Sequence, residues 1–135
     1  MRTAIAVTIL LLLTSMSMVA QGTGSTTLSG YVVDQHCAGS MATKANAMEK
    51  AAGHTRDCAL MEDCAASGYG IFSGGKYYKF DTKGSATAKA LIEKSKRTKG
   101  MYFTAVGKLD EGALTVASLV EATPPKSTEK PKEMP

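Results

Sequence analysis

The chain contains three cysteines and two histidines, and all five lie between positions 36 and 64. His36 directly precedes Cys37, and His54 stands four residues before Cys58, with Cys64 following. Three thiolates and one imidazole are a full ligand set for a tetrahedral zinc ion, and soft sulfur ligands suit copper(I) equally well. One interpretation of the segment is therefore a metal site at Cys37, His54, Cys58 and Cys64.

A disulfide is the first expectation for the same cysteines if the chain is exported, because nearby cysteines usually pair in an oxidising compartment. On one helix Cys58 and Cys64 would be about 9 Å apart, beyond the limit of about 7 Å between the Cα atoms of a bridged pair. Cys37 is therefore the expected partner of one of them. Such a bridge would stabilise the fold by about 3 kcal/mol.

Thiol redox chemistry by the unpaired cysteine is a third interpretation. Arg56 or a helix N-terminus could lower the thiol pKa of Cys58, but the sequence has no Cys-x-x-Cys motif to support this chemistry. We predict no catalytic residues. Acidic residues near the cysteines are expected to be helix caps or dipole partners: Asp34, Asp57, Glu62 and Asp63.

The conformation of residues 54–64 determines whether the three cysteines lie close together. A continuous helix there would place His54, Cys58, Met61 and Cys64 on one face, directed at the end of a first strand that carries Cys37. Methionines could add soft ligands for copper(I), although methionine more commonly fills a core. The methionines concerned are Met41, Met48 and Met61.

The surrounding elements are predicted from periodicity and turn residues. A helical insertion at about 41–67 holds one helix over 42–52, with Ser40 as its N-cap, and a second capped by Thr55 or Asp57. A third helix, capped by Ser85, carries the apolar stripe Ala88, Leu91 and Ile92. Five strands are expected over 28–35, 69–73, 76–81, 101–109 and 114–120.

The order strand, helical insertion, hairpin, helix, hairpin is typical of a mainly β domain with helical insertions. We predict a five-stranded OB-like Greek-key barrel over 21–121. The alternative is an α+β fold in which an open antiparallel sheet has helices on one face. With 135 residues, of which 44% are hydrophobic and 21% charged, the composition fits one small folded domain and names no reaction.

The two ends of the chain differ from this domain. Residues 1–20 combine Arg2, an apolar run and small residues before Ala20, which is the pattern of a signal peptide. Residues 122–135 are rich in Pro, Lys and Glu and predict a disordered tail. The mature protein is expected to be secreted or periplasmic, and no later segment is apolar enough for a membrane span.

Two further surfaces could bind a partner. Cations cluster over 89–99, which predicts a basic helix that could hold a polyanion, although export makes nucleic acid an improbable partner. Aromatic residues concentrate on strands two and three, where they are either core or a stacking surface: Tyr69, Phe72, Tyr77, Tyr78 and Phe80.

Several motifs resemble an uncharacterised family of small secreted bacterial proteins with an OB-like strand pattern. They are Asp34-Gln35-His36-Cys37-Ala38, the run from His54 to Met61 with Cys64, Ser67-Gly68-Tyr69-Gly70 and Val106-Gly107-Lys108-Leu109. The resemblance covers nearly the whole mature domain and implies export and fold, with no assigned activity. The expected function is an exported, non-enzymatic binding module, with a thiol-dependent oxidoreductase or polyanion binding as alternatives.

Overall fold

The computed structural model describes residues 24 to 126. The predicted signal peptide, 1–20, lies outside the described residues, as do residues 127–135 of the predicted tail. Between residues 24 and 126, no helix has both the length and the apolar character needed to cross a membrane.

Five strands form one mixed sheet, as the alternating sequence predicts. They are β1 (Ser25–Asp34), β2 (Tyr69–Ser73), β3 (Lys76–Phe80), β4 (Tyr102–Asp110) and β5 (Ala113–Glu121). Gly74 and Gly75 join β2 to β3 with positive φ angles of 59° and 82°, which glycine adopts without a steric penalty. On β4, Phe103, Ala105 and Gly107 are buried, while Thr104 and Val106 between them are only partly so. The predicted hairpins and their alternation are therefore confirmed.

The strands are hydrogen-bonded in the order β1-β2-β3-β5-β4, and β1 also pairs with β4, so the order closes on itself. Four of the five pairings are antiparallel. The fifth joins β3 to β5 in parallel through Lys79 with Ala113 and Phe80 with Leu114. The alternative prediction, an open antiparallel sheet with helices on one face, is wrong in its strand directions because this pair is parallel.

Helix α5 (Thr82–Lys94) connects β3 to β4 and covers the main core. Ala88 and Ile92 are fully buried and Leu91 is partly so, which confirms the predicted apolar stripe. The helix begins one turn before the predicted cap, because Asp81 rather than Ser85 accepts the first amide, that of Gly84 at 3.1 Å. The Ser85 hydroxyl instead accepts from the backbone N–H of Tyr69 at 3.0 Å.

The helical insertion differs most from the prediction. It holds four short helices: α1 (Gln35–Met41), α2 (Ala47–Gly53), α3 (Arg56–Ala59) and α4 (Glu62–Ala66). Helix begins directly after Asp34, whose side chain caps α1, so the expected strand end at Gln35 and the helix start after Ser40 are wrong. Residues 42–46, expected to be helical, lie between α1 and α2.

The continuous helix predicted over 54–64 is also wrong. Helix α3 ends at Ala59, and Met61, with φ −57° and ψ 145°, is not helical before α4 begins at Glu62. The Tyr69 hydroxyl donates to the Ala59 carbonyl at 2.6 Å, and this carbonyl would otherwise accept the amide four residues ahead. A long-range hydrogen bond thus takes the acceptor that helix continuation requires.

Helices α1 and α2 pack on the outer side of the sheet and form a second core with it. Its buried members are Val33, Ala38, Ala47, Ala51 and Phe72, with Cys37, Met41 and Met48 partly buried against them. The ends of these helices, together with α3 and α4, place the cysteines.

Candidate metal centre

Each cysteine is the third residue of its own short helix: Cys37 in α1, Cys58 in α3 and Cys64 in α4. Two of the three are held there by a side chain three residues earlier. The backbone N–H of Cys37 donates to Asp34 Oδ1 at 2.8 Å, and that of Cys58 donates to Thr55 Oγ1 at 3.1 Å. Thr55 is therefore one of the two caps that the sequence predicts for this helix. Capped short helices thus position the thiols of Cys37 and Cys58.

Ser67 links the helices that carry Cys37 and Cys64. Its hydroxyl accepts from the backbone N–H of His36 at 3.0 Å and donates to the Cys64 carbonyl at 2.6 Å. Because it bridges α1 and α4, this residue holds the third thiol against the other two.

The three thiols converge on one point without bonding to each other. Cys37 Sγ lies 3.8 Å from Cys58 Sγ and 3.9 Å from Cys64 Sγ, and all three sulfurs are within 4.8 Å of one another. A disulfide requires about 2.05 Å. All three cysteines are free, so the expected bridge from Cys37 does not form. The sulfur of Cys37 is almost equidistant from the sulfurs of Cys58 and Cys64, so the distances favour neither cysteine as its disulfide partner.

His54 is not grouped with all three cysteines at a separation of 4.8 Å between ligand atoms. It caps the end of α2 and falls in a second group with Asp34 and Cys37, whose ligand atoms also lie within 4.8 Å of one another. The structure thus divides the predicted ligands into two groups that share Cys37. Either group could hold a metal ion such as zinc.

Asp34 belongs to the site, although its position in the sequence predicts only a helix cap or a dipole partner. Its Oδ1 does cap α1, but its Oδ2 lies 3.2 Å from His54 Nε2, and the carboxylate is fully buried. The signal in the sequence is the spacing cap-x-x-Cys, which occurs as Asp34 to Cys37 and as Thr55 to Cys58. Asp34, the first of these caps, is an acidic residue at the buried end of β1.

Three buried atoms of this pair have no hydrogen-bond partner among residues 24–126: Asp34 Oδ2 and both ring nitrogens of His54. The 3.2 Å contact is within ion-pair distance, but it lacks the geometry of a hydrogen bond. Buried polar atoms are nearly always partnered, because leaving one unpaired costs about 1–3 kcal/mol. Within the described residues, the ion-pair contact at 3.2 Å is thus the interaction that these buried atoms make with each other.

The surroundings of Cys37 and Cys64 favour the protonated form of both thiols. Burial raises the pKa of Cys37 and of Cys64, and the nearby Asp34 carboxylate raises both further. Burial also acts to raise the pKa of Asp34, but the contacts with His54 and with the Cys37 N–H outweigh it, so that its pKa lies below the usual value. A raised pKa leaves less of a thiol as the nucleophilic thiolate.

Arg56 is engaged elsewhere. Its guanidinium donates to the carbonyls of Ile92 and Glu93 at the end of α5, at 3.0 and 2.6 Å. Arg56, one of the two groups that the redox interpretation named as able to lower the thiol pKa of Cys58, therefore connects α3 to α5.

A groove of about 380 Å³ reaches the site from solvent. Cys58 and His54 contribute to its lining, together with Ser40, Met41, Lys50, Gly53 and Thr55. Met61 was predicted to share a helix face with Cys58 and Cys64, but it lies at the break between α3 and α4 and is 60% exposed. Met48 packs in the second core. Met41 is therefore the methionine that lines the access route.

The aromatic residues of β2 and β3 and the basic segment 89–99 are the other two candidate surfaces. On β2 and β3, Tyr69, Phe72 and Phe80 are buried and Tyr77 and Tyr78 are half-buried, so these aromatics belong to the cores. The basic helix expected over 89–99 ends at Lys94, because Ser95 is extended. Of the cations that follow, Arg97 contacts Glu121 at 3.5 Å.

No protein family matches this chain, and neither a curated protein nor a solved structure is significantly similar to it. The class of protein is therefore defined by the fold and the site. It is a five-stranded mixed-sheet protein with helices, in which Cys37, Cys58 and Cys64, with Asp34 and His54 beside them, cluster closely enough to bind a metal.

Proposed function

We propose that the protein is an exported, non-enzymatic metal-binding module whose helical insertion holds a soft ion, zinc or copper(I), through Cys37, Cys58 and Cys64. The observation that carries this proposal is the separation of the sulfurs, 3.8 and 3.9 Å around Cys37. An ion about 2.3 Å from each sulfur separates tetrahedral ligands by about 3.8 Å and trigonal ones by about 4.0 Å. The same separation is nearly twice the length of a disulfide.

The position of the site in the fold supports a binding role. The closed strand order and a helix between β3 and β4 are consistent with an OB-like Greek-key barrel. In OB folds the connection between the first two strands is one of the usual binding loops. Here that connection is the insertion with the cysteines, so the ion occupies a place where such barrels bind ligands.

Export is supported by the predicted signal peptide at 1–20 and by the resemblance to secreted proteins with the same Cys and His motifs. An oxidising compartment would join two of these thiols unless something held them apart. A bound ion does so, because thiolates that coordinate a metal are held at separations too long for a bond between them.

The test is the mass and metal content of the exported protein, purified without chelators. Native mass spectrometry with elemental analysis is expected to find zinc or copper and three thiols that become alkylated after the metal is removed. A mass lower by two hydrogens, with no metal, would show a disulfide and overturn the proposal. Met61→Leu is the matched control, because this exposed sulfur is not expected to change the metal content.

A further inference from the structure

We infer that the site binds two metal ions, with the Cys37 thiolate as the shared ligand between the cysteine group and a second ion at Asp34 and His54. This inference rests on the proposed function for the first ion. The second ion is a divalent ion of the zinc type, because its ligands are one oxygen, one nitrogen and one sulfur.

The distances in the second group fit coordination as well as those in the first. Asp34 Oδ2 and His54 Nε2 are 3.2 Å apart. An ion about 2.0–2.1 Å from an oxygen and a nitrogen separates them by about 3.3 Å in a tetrahedral arrangement. A hydrogen bond of similar length would require an N–H directed at the oxygen, and this contact lacks that geometry.

Burial of the same pair adds to this argument. The side chain of His54 is 5% exposed and that of Asp34 is fully buried, yet Oδ2 and the ring nitrogens have no partner among the described residues. An ion between Asp34 and His54 partners Oδ2 and one ring nitrogen together. Asp34 Oδ1 still accepts the hydrogen bond from the Cys37 N–H. The carboxylate is therefore oriented by the same helix that supplies the shared thiolate.

Charge also favours a second cation. When an ion binds, each coordinating thiol releases its proton to solvent. Three thiolates and the Asp34 carboxylate then bring four negative charges into a largely buried site. One divalent ion leaves two of these charges uncompensated, whereas two divalent ions balance all four. Uncompensated buried charge is costly, so the second ion stabilises the loaded site.

The experiment is the zinc stoichiometry of the full exported chain, loaded with excess Zn²⁺, dialysed, and measured by elemental analysis and native mass spectrometry. We expect two ions per chain in the wild type and one in Asp34→Asn and in His54→Gln. Asn is a good helix N-cap, so the first variant keeps α1 intact. The matched controls are Asp57→Asn and His36→Ala, whose side chains are exposed, and both should keep two ions.

Far-UV circular dichroism and thermal melting of each variant establish that a lost ion is not a lost fold. Titration with Co²⁺ gives an independent readout, because the thiolate-to-cobalt absorption should saturate at two equivalents in the wild type and at one in Asp34→Asn.

One ion in the wild type and one in both site variants would overturn the inference and make Asp34 and His54 a simple ion pair. One ion in the wild type and none in His54→Gln would overturn it as well, with His54 as the fourth ligand of a single ion. No ion in any variant would instead overturn the proposed function.

Discussion

The carboxylate of Asp34 lies 3.2 Å from the imidazole of His54. Asp34 is the last residue of β1 and His54 directly follows α2, so this contact joins the sheet to the far end of the second helix of the insertion. Because Asp34 also caps the helix that carries Cys37, one buried side chain orients both halves of the site.

Cys37 should matter more for metal affinity than either of its partners. Its sulfur contacts both other sulfurs. Cys37 is also the one cysteine of the three that belongs to the group with Asp34 and His54. We expect Cys37→Ser to weaken zinc binding more than Cys58→Ser or Cys64→Ser, by at least about tenfold, which corresponds to about 1.4 kcal/mol. Competition with a chromophoric chelator measures this. Equal losses in all three variants would contradict a central role for Cys37.

Removal of Asp34 should destabilise the fold even without metal. Asp34→Ala deletes the cap of α1, worth about 1 kcal/mol, and also removes the ion-pair contact that Asp34 makes with the buried His54 at 3.2 Å. Asp34→Asn retains a cap and should lose less. Urea unfolding of the metal-free protein gives both free energies. Asp57→Asn, at a side chain that is 98% exposed, should remain close to wild type. A loss in Asp34→Ala no larger than in that control would contradict the structural role.

Metal removal should loosen the insertion and leave the sheet intact. The four helices of the insertion have 7, 7, 4 and 5 residues, and helices of this length are not stable alone in water. We expect a chelator to speed amide hydrogen exchange by at least about tenfold in α3 and α4, with little change in β4 and β5. Uniform acceleration over the described residues, or none, would show that the ion does not hold the insertion.

Stability should fall at alkaline pH through Tyr69. Burial raises its pKa to about 12, and its hydroxyl donates to the Ala59 carbonyl at 2.6 Å. An unfolded tyrosine ionises near pH 10. Between about pH 10 and 12 the folded state therefore binds more protons than the unfolded state, and the free energy of unfolding decreases as pH rises.

Urea unfolding between pH 8 and about 11 tests this prediction. Tyr69→Phe removes an ionisable group, so its stability should decline less steeply than that of the wild type in this window, by up to about 1.4 kcal/mol per pH unit. Some decline should remain, because burial also raises the pKa of Tyr77. Parallel curves for the wild type and Tyr69→Phe would contradict the role of Tyr69.

The regular parts of the fold could be predicted from local patterns. Alternation on β4, the Gly74-Gly75 turn and the Ala88-Ile92 stripe each follow from side-chain periodicity or backbone freedom, which neighbouring residues determine. The insertion could not be predicted in the same way. At its helix break the Ala59 carbonyl accepts a hydrogen bond from the hydroxyl of Tyr69, a residue of the next strand that the local pattern does not bring into view.

The sequence by itself determined which donors are present: three thiols and an imidazole, confined to one segment, and caps that aim Cys37 and Cys58. Only the tertiary structure decided how they are grouped. It brought Asp34 to His54, separated His54 from Cys58 and Cys64, and held the sulfurs apart. Local propensity sets the start of each short helix, whereas the distances between ligands depend on how four helices pack against a closed sheet.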